Sequence, residues 1–253
     1  MLNAIINGIS GKMGTSVYER AKENGINVAC GVDKLKRGFF DCPVYSSLYE
    51  IKEYADGVID FSSPSALDGL LQFCISNSMP LVLATTGFSE EDDRKISEAA
   101  KLIPIFKCSN TSKSVYLFLK ILGEVAENLS DYDAEIIERH HNLKKDAPSG
   151  TALSAYNAIE KARSDKGVIS EAVFGRKGLS KRKKGDVGIH SVRGGSLVGE
   201  HEATFYSQYD SISITHTAYS KVLFADGAID AFRFIIDREK GLYSMDDLIR
   251  TNV

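Results

Sequence analysis

The first hundred or so residues alternate short apolar runs with helical patterns, and this alternation constrains the fold more than any other feature. Leu2-Asn3-Ala4-Ile5-Ile6-Asn7 reads as a buried strand. It runs into Gly8-Ile9-Ser10-Gly11-Lys12-Met13-Gly14 and a helical pattern carried by Val17 and Ala21, closed by Gly25. Strand-like runs follow at 26–32, 57–61, 81–84 and 104–107. Between them lie a helical stretch from Pro64 to about Asn77 and another opened by Ser89-Glu90-Glu91-Asp92, a capping-box-like start. Repeated strand–helix units imply a parallel sheet, because a crossover helix is what returns the chain to the same end.

The glycine turn at residues 8–14 suits close approach of backbone to a pyrophosphate, and the helix N-terminus behind it adds unpaired N–H donors and partial positive charge. Ser10 and Met13 stand where the second and third glycines of Gly-x-Gly-x-x-Gly would fall, so the turn alone is equally compatible with a tight strand-to-helix connection. Asp33 ends the second run about twenty residues further on, where a dinucleotide fold places the acid that binds a ribose. Lys34 beside it could neutralise a ribose 2′-phosphate, which predicts tolerance of both NADH and NADPH; a solvated Asp–Lys turn is the alternative. The loops Phe61-Ser62-Ser63-Pro64, Ala84-Thr85-Thr86-Gly87 and Cys108-Ser109-Asn110-Thr111 fall at the carboxyl edge of the expected sheet, where ligands bind, although each could simply cap the next helix.

After a helical stretch at 114–129 the pattern changes. Residues 134–138, 187–193, 196–206 and 211–218 resemble strands, with alternation clearest in Ile212, Ile214 and His216, and one long helix from about Gly150 interrupts them. Strands without intervening helices imply a mixed or antiparallel sheet, hence a second domain. A helical run at 222–234 could rejoin the first domain.

The segment Glu138–Ala152 is the densest in chemistry. His140, His141 and Lys144 can carry or pass a proton, and they precede Pro148-Ser149-Gly150-Thr151, which starts a helix and leaves backbone N–H groups for an anion. Helix capping alone explains Pro148 to Thr151, but does not require the histidines.

Length and composition exclude several classes. A chain of 253 residues, 43% hydrophobic, can bury one or two cores, and no apolar run approaches a membrane span. Met1-Leu2-Asn3 does not begin a secretory signal, so a cytoplasmic location is expected. Cys30, Cys42, Cys74 and Cys108 are scattered, which suits reduced thiols better than a disulfide framework or a structural metal. Net charge −3 and a pI near 6.0 give no overall attraction for nucleic acid. Arg176, Lys177, Lys181, Arg182, Lys183 and Lys184 form a basic stretch, expected as a mobile, solvated loop or else a flap over an anionic ligand.

The motif from Glu138-Arg139-His140-His141 through Lys144 and Asp146-Ala147-Pro148-Ser149-Gly150-Thr151-Ala152 closely resembles the signature of the dihydrodipicolinate reductases, also called 4-hydroxy-tetrahydrodipicolinate reductases, of bacterial lysine and diaminopimelate synthesis. The resemblance extends to the glycine turn, to Ala84-Thr85-Thr86-Gly87-Phe88, to Val198-Gly199-Glu200-His201 and to Ile214-Thr215-His216. It implies an α/β protein: a Rossmann-like parallel-sheet domain binding NADPH or NADH, at 1–111 with 222–253, and an α+β substrate and oligomerisation domain with a mixed sheet at 112–221. It also implies a cyclic dicarboxylate substrate and a homotetramer formed through that sheet.

Position by position, the resemblance implies His140 and Lys144 as catalytic proton donors, and His141, Gly150 and Thr151 as substrate contacts. Cofactor contacts would come from Gly8, Ile9, Ser10, Gly11, Lys12, Met13, Asp33, Lys34, Ala84, Thr85, Thr86, Cys108, Ser109, Asn110 and Thr111, with no metal. Four positions depart from the family's habit: Ala84 for glycine, Lys34 for arginine, Thr111 for an aromatic residue and Ser196 for aspartate. Outside the family, a non-catalytic nucleotide sensor would have no need of a proton donor beside an anion cradle. A metal hydrolase using His140, His141, His190, His201 and His216 would lack a His-x-x-x-His pair.

Overall fold

The computed structural model describes residues 1–35 and 37–251. Lys36, Asn252 and Val253, the last two at the end of the expected first domain, lie outside the described residues. The chain forms two compact units, Met1–Lys113 with the segment from Val222, and Ser114–Lys221.

The first unit opens with β1 (Asn3–Asn7), α1 (Lys12–Glu23), β2 (Asn27–Val32), β3 (Val44–Tyr45), β4 (Gly57–Asp60), α2 (Leu67–Ser76), β5 (Leu81–Leu83), α3 (Glu90–Ala99) and β6 (Pro104–Lys107). The second unit comprises α4, which begins at Lys113 and ends at Asn128, β7 (Asp133–His140), α5 (Gly150–Ser164), β8 (Glu171–Phe174), β9 (Asp186–Arg193), β10 (Gly199–Tyr206) and β11 (Ser211–Ala218). The chain then returns to the first unit with α6 (Val222–Ile235), β12 (Gly241–Tyr243) and α7 (Met245–Thr251).

The first sheet has the order β12-β6-β5-β4-β1-β2-β3 and every pairing in it is parallel. Its central strands are buried throughout, as a sheet covered on both faces requires: β4 and β5 have no exposed residue. From β1 the chain steps to one side for β2 and β3, then to the other for β4, β5 and β6. The strand order therefore reverses between β1 and β4, the place where open parallel sheets bind ligands. The capping box expected at α3 is present: Ser89 Oγ accepts from Asp92 N, and the Asp92 carboxylate accepts from Ser89 N at 2.9 Å. The helix expected from Pro64 begins as a 3₁₀ turn over Pro64–Ala66, with regular helix only from Leu67. Three strands, β3, β8 and β12, were not foreseen. They are two, four and three residues long, too short for a period of two to register.

The second sheet has the order β11-β10-β7-β9-β8. β9 pairs parallel with both β7 and β8, whereas β10 pairs antiparallel with both β7 and β11, so the sheet is mixed. Helices α4 and α5 cover one face: Phe118, Leu122, Ala155 and Ile159 pack with Ala134, Ile136, Val187, Ile189, Ala203 and Phe205. The basic stretch is not wholly solvated. Arg176 Nη1 lies 2.9 Å from Glu135 Oε1, and Arg182 also pairs with Glu135, whose other oxygen is 2.7 Å from His190 Nε2. Gly188 makes room for this carboxylate, since a Cβ there would stand 1.8 Å from Glu135 Oε2. Among the described residues no helix is long and apolar enough to cross a membrane.

Candidate active site

In the first unit the turn after β1 is set by backbone space. Gly8 has φ +81°, and a Cβ on it would stand 2.7 Å from Phe61 O; a Cβ on Gly14 would stand 2.1 Å from Gly8 O. Gly14, not Met13, is therefore the residue that lets α1 pack against the turn, and the glycines follow a three-residue repeat at 8, 11 and 14. Gly14 closes the expected glycine turn but falls one residue beyond the third glycine of Gly-x-Gly-x-x-Gly. Helix α1 starts at Lys12 with Gly11 as N-cap, without a side-chain cap and without an acidic residue in its first turn. Its leading N–H groups are thus left to a ligand, and the crowded cradle and donor set fit a dinucleotide pyrophosphate.

The expected cofactor residues differ in what they present. Ile9 is fully buried beneath Gly31, so only its backbone borders the turn. Asp33 accepts from Ser10 N at 3.2 Å and Leu35 N at 2.9 Å, which fixes its carboxylate beside the turn, while Lys34 is exposed. Ala84 and Thr85 are buried and Thr86 is exposed. Thr85 Oγ1 donates at 2.6 Å to Asp60 Oδ2, and the buried Asp60 also accepts from Asn7 Nδ2 at 2.7 Å and Ser62 Oγ at 2.6 Å. This network knits together the ends of β1, β4 and β5. Its signal in the sequence was a polar residue closing each of two apolar strands. Asn110 Oδ1 accepts from Ser112 N at 2.9 Å. Thr111 is buried and its hydroxyl donates at 2.6 Å to Phe224 O, so that side chain is engaged in packing. Burial pushes the Cys108 thiol up to about 12, which keeps it neutral.

In the second unit the site is a polar continuation of the core face. Along β7 the alternating positions Ala134, Ile136, Glu138 and His140 are all buried, so the row that begins apolar ends in an acid and an imidazole. The same change occurs on the neighbours, because Glu138 is opposite Ser191 on β9 and His201 on β10, and His140 is opposite Arg193. Glu138 is completely buried. Its donors include His140 Nδ1 at 2.5 Å, Arg193 Nη1 at 2.8 Å and Nη2 at 2.7 Å, and Ser149 N at 3.2 Å. Burial alone would raise its proton affinity, but hydrogen bonds from Arg193, Ser191 and His140 overcome that and hold the carboxyl at about 2. An ionised carboxylate only accepts, so His140 carries hydrogen on Nδ1 and keeps Nε2 for other partners.

Space for that ring comes from Gly199, where a Cβ would stand 2.9 Å from His140 Nε2. Burial lowers the proton affinity of His140, and Glu138 opposes the effect. His201 lies edge-on to His140 at 5.1 Å between ring centres, with its Nε2 2.9 Å from Ser149 Oγ. Burial, reinforced by a charge on His140, pushes His201 down to about 4, so it is neutral at pH 7.

The loop between β7 and α5 is pinned to the loop after β9. His141 N donates to Leu197 O at 2.7 Å and Gly194 N donates to His140 O at 3.0 Å. Lys144 Nζ is held by both oxygens of Asp146, at 2.9 and 2.8 Å, and Arg193 Nη2 donates to Asp146 O at 2.7 Å. Helix α5 begins at Gly150 with Ser149 as N-cap, its hydroxyl accepting from Ala152 N. Ser149 N–H is spent on Glu138, so the anion cradle expected over Ser149 to Thr151 narrows to Gly150, which is exposed, and Thr151. The expected residues His140, His141, Lys144, Gly150 and Thr151 thus share one unit and one loop. Glu138 and Arg193, which organise them, were not singled out; Arg193 is 53 residues from His140 and only the β7–β9 register joins them. Among the described residues no group of three or more His, Cys, Asp and Glu side chains is arranged to hold a metal ion.

Family models for the dihydrodipicolinate reductase N-terminus and C-terminus match residues 2–111 and 114–249. The chain belongs to the dihydrodipicolinate reductase family. It is 44% identical over 252 residues to the 4-hydroxy-tetrahydrodipicolinate reductase of Caldanaerobacter subterraneus subsp. tengcongensis and 42% identical over 253 residues to that of Clostridium novyi, with 99% of both chains covered in each case. Its fold is similar to that of a dipicolinate-bound dihydrodipicolinate reductase from Paenisporosarcina sp. TG-14, with TM-score 0.81, 22% identity, and 96% and 97% of the two chains covered. As a dihydrodipicolinate reductase it is an NAD(P)H-dependent oxidoreductase of lysine and diaminopimelate synthesis.

Proposed function

We propose that this dihydrodipicolinate reductase converts 4-hydroxy-tetrahydrodipicolinate to tetrahydrodipicolinate with His140 and Lys144 as its proton donors. The ring loses its hydroxyl and a ring hydrogen as water, and gains a hydride and a proton. NADH or NADPH supplies the hydride when bound. The leading N–H groups of α1 at Lys12 and Met13 would hold the pyrophosphate, while Gly8, Ile9, Ser10 and Gly11, whose own N–H groups bond Val32 O, Asp33 and Gly8 O, shape the turn beside it; Asp33 would take ribose hydroxyls and Lys34 would face a 2′-phosphate where there is one. Ala84, Thr85, Thr86, Cys108, Ser109, Asn110 and Thr111 line the nicotinamide end, Thr111 through its backbone.

The observation that carries this reading is the placement of His140, paired with Glu138 at 2.5 Å, beside the first N–H groups of α5. Gly150 and Thr151 take one substrate carboxylate on N–H groups that have no intrahelical acceptor, with the Thr151 hydroxyl and His141 alongside. Lys144, paired with Asp146 here, exchanges that carboxylate for one of the substrate. The dipicolinate bound to the Paenisporosarcina relative is a ligand of the class this arrangement suits.

Residues 112–221 serve in this reading as the substrate and tetramerisation domain, and 1–111 with 222–253 as the nucleotide domain of a cytoplasmic enzyme. The face of the second sheet away from α4 and α5 carries Ile137, Val192 and Tyr206 between charged groups, which supports assembly of a homotetramer through it. Steady-state rates with each nucleotide on enzymatically generated substrate test the chemistry. Both nucleotides are expected to support turnover, and His140→Gln to lower kcat by about 10² to 10⁴ with nucleotide affinity kept. Unchanged turnover in that variant removes His140 from the mechanism.

A further inference from the structure

We propose that Glu138, clamped by Arg193, is the positioning residue that fixes the His140 ring and sustains its protonated form. The inference rests on His140 being a proton donor, as set out above. Three observations carry it. Glu138 and His140 are two residues apart on β7 and share its buried face, so the pair is set by the strand and needs no loop to form it. The carboxylate spends one oxygen edge on His140 Nδ1 at 2.5 Å, and both oxygens receive the Arg193 guanidinium, at 2.8 and 2.7 Å. A bidentate fork of this kind fixes the carboxylate plane as well as its charge. Gly199, opposite the ring, makes room for it there, since a Cβ would stand 2.9 Å from His140 Nε2.

Arg193 also donates to the Asp146 carbonyl, in the loop that bears Lys144, so one guanidinium ties down the supports of both proposed donors. The charged and titratable groups facing His140 are Glu138 on its own strand, Arg193 on β9, His201 on β10 and Lys144 in the following loop. Of these only Glu138 is negative. It is the one group in the cluster that favours imidazolium, while burial, Lys144 and Arg193 all oppose it.

The test combines Glu138→Gln, Glu138→Asp, His140→Gln and the double variant Glu138→Gln/His140→Gln, with kcat, KM for both reactants and kcat/KM against pH. Glu138→Gln is expected to lower kcat by about 10²-fold with KM for the nucleotide unchanged, as small misplacement of a catalytic group does. It should also move the alkaline limb of kcat/KM to lower pH, because an imidazole without its carboxylate loses its proton sooner. Glu138→Asp, which keeps the charge at a shorter reach, should recover part of the rate. The double variant should cost no more than His140→Gln alone, since Glu138 has nothing left to act upon.

An alkaline limb that stays in place in Glu138→Gln, with His140→Gln inactive, overturns the positioning role and leaves His140 as donor. Full turnover in His140→Gln overturns both. Should Glu138→Gln fail to fold, the ¹⁵N spectrum of His140 in the unaltered enzyme decides. A neutral ring protonated on Nδ1 supports the proposal, and one protonated on Nε2 refutes it.

Discussion

His201 illustrates how a single side chain couples the site to stability. Its pKa is pushed down to about 4 by burial and by the neighbouring His140, against an ordinary value of 6.5. Between those two values the unfolded chain binds a proton that the folded chain does not, so stability rises with pH across that window and is lost as pH falls from 6.5 towards 4. A difference of this size is worth about 3 kcal/mol. Urea denaturation at pH 7 and pH 4.5 is expected to show this loss, and His201→Gln, which keeps a group to bond Ser149, should flatten that part of the dependence. An unaltered slope in His201→Gln assigns the loss to other groups. Glu138 acts over a lower range: its carboxyl is depressed to about 2, so its contribution is present above pH 4.5 and disappears as pH falls through 2. At this scale the sequence was informative about identity and silent about partners. His140, His141 and Lys144 stand out in any reading of 138–152, but nothing in the order of residues joins Glu138 to Arg193.

Among the elements, the β1–α1 unit is the most tightly specified. Gly14 lies inside α1, where glycine ordinarily weakens a helix by about 1 kcal/mol, yet a Cβ there would come within 2.1 Å of the Gly8 carbonyl. Gly14→Ala is therefore expected to destabilise the protein in spite of alanine's higher helix propensity, and to weaken nucleotide binding by displacing the turn. Titration of NADH fluorescence beside a denaturation curve measures both effects; a variant as stable as the parent, with unchanged affinity, would remove Gly14 from the cradle. Strands and helices of ten residues or so were legible because their apolar periods repeat. The short strands β3, β8 and β12 were not, because pairing with β2, β9 and β6 decides them rather than any pattern of their own. Arg176 and Arg182 belong to the same class of surprise. A run of cations reads as solvated until Glu135, on a strand forty residues and more away, supplies the counter-charge.

For the whole molecule, the two sheets have different coverings. The central strands β4 and β5 of the parallel sheet are buried on both faces within their own unit, whereas α4 and α5 pack on one face of the mixed sheet. On its other face Val192 and Tyr206 are 46% and 44% exposed, beside Arg139, which pairs with both Glu200 and Glu202. Native mass spectrometry is expected to return four copies of the chain, and Val192→Glu, which adds a charge to that face, to shift the population to smaller species. A monomer at micromolar concentration, before any substitution, excludes the tetramer.

What the sequence determined by itself was the alternation that makes a parallel sheet, the change of pattern that makes a second, mixed one, and the chemical identity of the groups between Glu138 and Thr151. These are local properties: periods of 3.6 and 2, glycine at a turn, a cap before a helix. Tertiary structure alone decided which groups are charged and which are held. The β7–β9 register brings Arg193 to Glu138, where hydrogen bonding depresses the carboxyl against the effect of burial, while burial depresses the two imidazoles. Proton affinity depends on neighbours within a few ångströms, and in this chain those neighbours come from distant strands.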